Sequence, residues 1–271
     1  MKIVRFISEN NQELYGIYDP GFPNDAQIIQ GNIFGDFQIT LKRATIKRFL
    51  SPVDPCNILA LGLNYRQHAD ETNIDYPEIP VLFIKATSSL VGHLSPIFLP
   101  TAGPEKVDYE AELAIIIGKK VKNIPQSEVM DCILGYTCAN DVSARDWQME
   151  KQKKQWARGK SFDTFCPLGP YLVTKDEIPA PDNLHVRTIL NGNILQDSNT
   201  ANMIFDVRAI VSDLSRSMTL LPGTVILTGT PEGVGFTRQP PVYLQDGDTV
   251  TIDIEKIGQL TNPVKIENHN G

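Results

Sequence analysis

Apolar and polar positions alternate in short bursts along most of this chain, and helical spacing is confined to two places. The runs K-I-V-R-F-I and E-L-Y-G-I-Y, broken by the turn-rich D-P-G-F-P-N-D, and a hairpin-like stretch around Gly31 to Leu41 predict a small N-terminal β-rich domain over residues 1–52. The break S-P-V-D-P follows. N-I-L-A-L-G-L-N-Y then starts a buried strand that turns polar at Asn64 and opens a second, catalytic-sized domain over residues 53–271. Beyond it lie P-V-L-F-I-K, G-Y-T-C-A-N-D, P-Y-L-V-T, H-V-R-T-I-L-N-G-N, G-T-V-I-L-T-G-T and D-T-V-T-I-D-I, mostly β-branched and bounded by glycine and proline. The helical candidates are S-A-R-D-W-Q-M after Asp141, with Ser143 as cap, and the segment from Met203, where Ile204, Val207, Ile210, Val211 and Leu214 keep helical spacing. Strands do not alternate regularly with long helices, so the expected class is α+β, mainly β, rather than a TIM barrel or a doubly wound sheet.

One run departs from the ordinary pattern. In V-D-Y-E-A-E-L-A-I-I-I-G, strand alternation places Asp108, Glu110 and Glu112 on one face, continuous with Ala114 and Ile116. On the spacing alone, a strand with one solvated acidic face accounts for this. The other account is a buried pair, Glu110 and Glu112, joined by Asp141 at the end of G-Y-T-C-A-N-D. Buried carboxylates need a partner, and an all-oxygen set suits Mg²⁺, Mn²⁺ or Ca²⁺ better than zinc.

Three further clusters carry candidate chemistry. In L-N-Y-R-Q-H-A-D-E, His68 and Glu71 are neighbours on one helical turn, either a surface pair or a histidine made basic and oriented by a carboxylate. In D-V-S-A-R-D-W-Q, Arg145 and Gln148 share a helical face and could reach an anion, or simply face solvent. In T-G-T-P-E-G-V-G, the glycines around Gly229 let backbone amides and the Thr230 hydroxyl approach a carboxylate, or merely make a tight connection. The G-K-S at Gly159 to Ser161 is not a phosphate loop, because the glycine that pattern needs is Lys154.

The net charge of −7 over 271 residues argues against a nucleic-acid or anionic-membrane partner. No apolar run nears the ~20 residues of a membrane span, and the first residues form no signal-peptide core, so a cytoplasmic protein with a small-molecule partner is expected. Cys56, Cys132, Cys138 and Cys166 lack paired spacing and are expected as reduced thiols; a redox-sensing role for Cys138 or Cys166 is the competing account.

Taken in order, L-N-Y-R-Q-H-A-D-E, L-F-I-K, V-D-Y-E-A-E-L-A-I-I-I-G, G-Y-T-C-A-N-D-V-S-A-R-D-W-Q, G-K-S-F-D-T-F-C-P-L-G-P, L-T-G-T-P-E-G-V-G and G-D-T-V-T-I-D-I-E-K-I-G-Q-L-T-N-P-V resemble the fumarylacetoacetate hydrolase superfamily over roughly residues 55 to 265. K-Q-W-A-R-G-K and P-P-V-Y-L-Q-D-G-D are most similar to its domain-containing protein 2 branch. The resemblance implies a mixed β-sandwich roll, a homodimer, and Mg²⁺ or Mn²⁺, with Ca²⁺ as a possible substitute, held by Glu110, Glu112 and Asp141. It implies a catalytic pair, His68 and Glu71, on a mobile lid, assistance from Lys160 and Gln148, and substrate contacts from Arg145, Thr230, Gly229 and Lys85. Asp108 matches no ligand and is expected behind the ligands or at the surface. The implied activity is enolate chemistry on small 2-oxo acids: oxaloacetate tautomerisation, acylpyruvate hydrolysis, or decarboxylation and isomerisation of related dioates. A non-catalytic, metal-stabilised binding protein would keep the carboxylates but gain nothing from His68 and Glu71.

Overall fold

The computed structural model describes residues 1–102 and 105–267. Its largest sheet runs, from one edge, through Glu13–Tyr18, Asp25–Gly31, Phe37–Phe49, Lys2–Ser8, Cys166–Thr174, Ile133–Asn140, Ala111–Ile117, Val225–Leu227, Ile58–Gly62 and Val81–Lys85. The four N-terminal strands form the hairpins that their alternation predicts, and they join the rest through Lys2 and Ile3, which pair antiparallel with Val173 and Leu172. A five-stranded sheet, Asn193–Asn199, His185–Leu190, Thr249–Ile254, Gly258–Ile266 and Ile97–Leu99, packs across one face. The fold is β-rich α+β, as the patterning indicates.

The core between the sheets joins Leu113, Ile115, Tyr136 and Val173 to Val186, Ile252, Ile254 and Leu260, all buried. The opposite face of the large sheet buries a second set that includes Ile58, Ala60, Ala114, Ile116, Leu168 and Leu227. A strand covered on both faces cannot alternate in hydropathy, which is why A-E-L-A-I-I-I reads as a continuous apolar run after its acid.

Register then places the site. Ala111 opposes Asn140, Ala114 opposes Leu227, and Leu227 runs parallel to Ala60. The start of the acid strand and the carboxyl ends of Ile133–Asn140, Val225–Leu227 and Ile58–Gly62 therefore meet at one end of the sheet. Asp141, Thr230 and His68 each follow one of those ends within a few residues.

Two predicted elements change. Ser143 caps no helix: it pairs in a short bridge strand with Asp108, its hydroxyl donates to the Asp141 carbonyl, and a π-helical turn, Asp146–Lys151, follows Arg145. The second helix spans Val207–Ser217, because the Asp206 carboxylate caps the Ala209 amide; Ile204 stays outside and its amide donates to the Asn64 carbonyl. The buried stripe Val207, Ile210, Val211 and Leu214 is as spaced.

His93 bridges the two sheets. Its Nδ1 accepts from the Thr261 amide at 3.0 Å and its ring stands edge-on to Phe49, while burial depresses its pKa from 6.5 to about 4. The neutral ring is the folded form. Between pH 6.5 and about 4 the unfolded chain therefore takes up a proton that the folded chain refuses, and stability falls across that window by on the order of 3 kcal/mol. His93→Gln, which keeps an acceptor for Thr261, is expected to flatten this limb in denaturant titrations at a series of pH values. An unchanged slope would place the acid sensitivity elsewhere.

Candidate active site

The run that raised the question of buried acids is broken at Tyr109 and Glu110 into a bridge strand, Val107–Asp108, and the strand Ala111–Ile117. Asp108, Glu110 and Glu112 are 0%, 5% and 0% exposed, so a solvated acidic face is excluded. Glu110, Glu112 and Asp141 each offer a carboxylate oxygen, all within 4.8 Å of one another.

Three cations surround them. Lys160 Nζ donates to Glu110 Oε2 and Asp141 Oδ2, both at 2.7 Å. Arg145 Nη1 lies 2.7 Å from Glu110 Oε1, and Lys85 pairs with Asp141. Lys85, expected to touch substrate, is thus placed behind the carboxylates and does not line the cavity in front of them. Burial alone would raise the Glu110 carboxyl, but Lys160 and Arg145 bring it down to about 2. Glu112 goes the other way: burial, then Asp141 and Glu110, push it well above the usual carboxylate range. Its Oε2 accepts from the Gly229 amide at 2.7 Å, and its Oε1 is buried with no hydrogen-bond partner. Counting Asp108, this cluster sets four carboxylates against three cations, and the unmatched charge falls on Glu112. A hard divalent cation fits this oxygen set, since it would supply both the missing partner and the missing positive charge.

Asp108 is neither a ligand nor at the surface. It accepts from Arg145 Nε at 2.8 Å and from the Gly235 and Phe236 amides at 2.8 and 3.1 Å, which fixes the guanidinium against the 233–238 loop. The Phe236 ring covers Arg145 at 4.4 Å, and Arg145 Nη1 donates to Gln148 Oε1 at 2.9 Å.

The same cavity is lined by His68, in the helix Arg66–Thr72. His68 Nδ1 and Glu71 Oε1 are 2.7 Å apart, and Glu71 Oε2 accepts from the Gly233 amide and the Thr237 hydroxyl, both at 3.0 Å. Burial would raise Glu71, yet these hydrogen bonds and the histidine hold it below its ordinary value. His68, Glu110, Arg145, Gln148, Lys160 and Thr230 line one cavity, whose remaining wall, Thr72 apart, is largely apolar and includes Leu63, Ile74, Phe83, Met149, Trp156 and Phe236. Asp108 lies behind the ligands, one of the two places expected for it, whereas no motif points to Gln196 or to the apolar wall. Gln196 does carry a trace, as a polar residue at an inward position of I-L-Q-D-S.

The thiols lie outside this chemistry. Cys56 is exposed, and burial raises Cys166 to about 12 and Cys138 further still. Alkylating the folded protein is expected to label one thiol per chain and leave turnover unchanged; loss of turnover on labelling would restore a thiol role.

Fold and site together define an enzyme built around a buried carboxylate triad and a carboxylate-held histidine at one cavity. The chain belongs to the fumarylacetoacetate hydrolase family: the family model described as fumarylacetoacetate (FAA) hydrolase C-terminal matches residues 57–265. A Xenopus laevis protein named oxaloacetate tautomerase fahd2, mitochondrial, is 50% identical over 227 residues, 84% of this chain and 71% of its own. The structure of a 5-carboxymethyl-2-hydroxymuconate delta-isomerase from Mycobacterium smegmatis superposes with a TM-score of 0.86 at 40% identity, covering 98% of this chain and 100% of that one. A fumarylacetoacetate hydrolase from Exiguobacterium antarcticum gives 0.87 at 38% identity, with the same coverage. Among the described residues no helix is long and apolar enough to cross a membrane.

Proposed function

We propose that this enzyme interconverts the enol and keto forms of oxaloacetate, with Mg²⁺ or Mn²⁺ held by Glu110, Glu112 and Asp141. The observation that carries this reading is that one cavity is lined both by Arg145 and Lys160, two fixed cations set among the carboxylates, and by a single histidine base held by Glu71. With a divalent cation added to the three side-chain cations, positive charge exceeds the four carboxylates and a four-carbon dianion matches the site, and a lone base suffices to carry a proton between C3 and the C2 oxygen. The Xenopus relative's name supports the choice of substrate.

In this proposal the cation, when bound, supplies Lewis-acid polarisation of the 2-oxo acid's oxygens. The protein's own groups do the rest. His68 takes a proton from C3 of the keto form and delivers it to the C2 oxygen, and runs the same transfer in reverse for the enol; Glu71 holds the ring's tautomer and direction through Nδ1. Arg145, Gln148 and Thr230 hold the anionic oxygens, and Lys160 keeps positive charge beside the reacting end. The proposal also carries a homodimer and a cytoplasmic setting, open to light scattering and cell fractionation.

A second reading, hydrolysis of an acylpyruvate, is favoured by the apolar wall of Leu63, Ile74, Met149 and Trp156, which suits a carbon chain in place of a second carboxylate. The deciding experiment offers enol-oxaloacetate, keto-oxaloacetate and an acylpyruvate to chelator-stripped protein with Mg²⁺ or Mn²⁺ restored. Fast loss of the enol absorbance is expected without pyruvate release. Turnover of the acylpyruvate alone would replace the tautomerase reading by the hydrolase one.

A further inference from the structure

Gln196 is fully buried on the inner side of the strand Asn193–Asn199, and every hydrogen-bonding position of its amide is filled. Its Oε1 accepts from the Ala111 amide at 2.9 Å and from the Thr188 hydroxyl at 2.6 Å. Its Nε2 donates to the Thr230 hydroxyl oxygen at 2.9 Å and to the Pro231 carbonyl at 2.8 Å. The orientation of this amide follows from its partners. A backbone N–H only donates and a carbonyl only accepts, so Oε1 must face Ala111 and Nε2 must face Pro231.

The consequence falls on Thr230. Its oxygen already accepts from Gln196, so its own proton cannot point back along that bond, and among the described residues it donates to no protein group. Thr230 lines the cavity. We infer that Gln196 is a positioning residue for substrate: it turns the Thr230 hydroxyl into a committed donor, so the substrate atom seated there is a carboxylate or keto oxygen. The same amide holds Ala111, between Glu110 and Glu112, so one side chain sets the donor and the carboxylate strand in register. This inference rests on the 2-oxo acid reading above and adds to it which group selects the anionic end.

The test is a double-mutant cycle on the metal-loaded enzyme with oxaloacetate. Gln196→Glu keeps the acceptor for Ala111 and Thr188. It brings at most one donor, which the Pro231 carbonyl takes, so the Thr230 proton turns away from the cavity. A KM about tenfold higher or more, with kcat changed less than about threefold, is expected, as for loss of one hydrogen bond to a charged group. In a Thr230→Val background the same change is expected to move KM less than about twofold, and Thr230→Ser is expected to restore the sensitivity. Mn²⁺ affinity and melting temperature, measured beside these, report whether the Ala111 end is intact. Equal effects of Gln196→Glu with and without the Thr230 hydroxyl would overturn this inference while leaving the proposed function standing. A wild-type enzyme that neither turns over oxaloacetate nor binds oxalate would overturn both.

Discussion

Replacing His68 with alanine is expected to cut turnover by about 10²- to 10⁴-fold, the range a positioned general base supplies, while the protein still folds and still binds its divalent cation. The separation follows from geometry. His68 sits in the helix Arg66–Thr72, outside the carboxylate cluster, and its side chain pairs with Glu71 and with none of Glu110, Glu112 and Asp141. Removing it leaves Lys160, Arg145 and Lys85 with their carboxylates untouched. Glu71→Gln should follow with a smaller loss, because an amide still meets the ring but no longer stabilises its positive form; Glu71 is also held by Gly233 and Thr237, so its position survives. Steady-state kinetics with oxaloacetate, alongside Mn²⁺ titration of each variant, separates these cases. A fully active His68→Ala enzyme would sink the assignment of the base, and loss of cation binding in that variant would mean the helix shapes the carboxylate site.

Much of this architecture can be read along the chain because alternation and β-branching report directly on strands. The acid strand shows both the reach and the limit of that reading. Alternation puts Glu110 and Glu112 on one side and the register brings in Asp141, but the break at Tyr109 and Glu110 depends on the bridge between Asp108 and Ser143, thirty-five residues away. The same bridge draws Ser143 out of the helix that its chemistry as a cap suggested, since local propensity yields to a paired neighbour. The pairing of Lys85, expected as a substrate contact, is hidden for a similar reason: its partner Asp141 is brought to it only by the tertiary fold. Gln196 and Asp108 act through other residues, Thr230 and Arg145; Gln196 sits outside any short motif, and the spacing that shows Asp108 does not show its partner. Spacing finds groups that do chemistry; it does not find the groups that aim them.

Glu112→Gln is expected to leave the metal-free protein as stable as before, within about 0.5 kcal/mol, and to abolish the stabilisation that divalent cations give. Burial, then Asp141 and Glu110, disfavour the charged form of the Glu112 carboxyl, so a glutamine removes a charge that the metal-free site holds unfavourably. An amide oxygen can still accept from the Gly229 amide, as Oε2 does now. What is lost is the anion. A cation at one hundred times its Kd stabilises a folded protein by about 2.7 kcal/mol, several degrees in melting temperature at this size, and the variant should show almost none of it. The sign with pH is set by the same group. Cation binding must displace the proton from Glu112, so in the wild type the stabilisation should shrink as pH falls, whereas in Glu112→Gln it should be absent at every pH. Thermal melts with and without Mg²⁺ or Mn²⁺, from pH 5 to 8, read both effects at once. A variant that keeps the full cation-dependent shift would remove Glu112 from the ligand set; one that unfolds without metal would show that its charged form, and not its neutral one, holds the end of the sheet together.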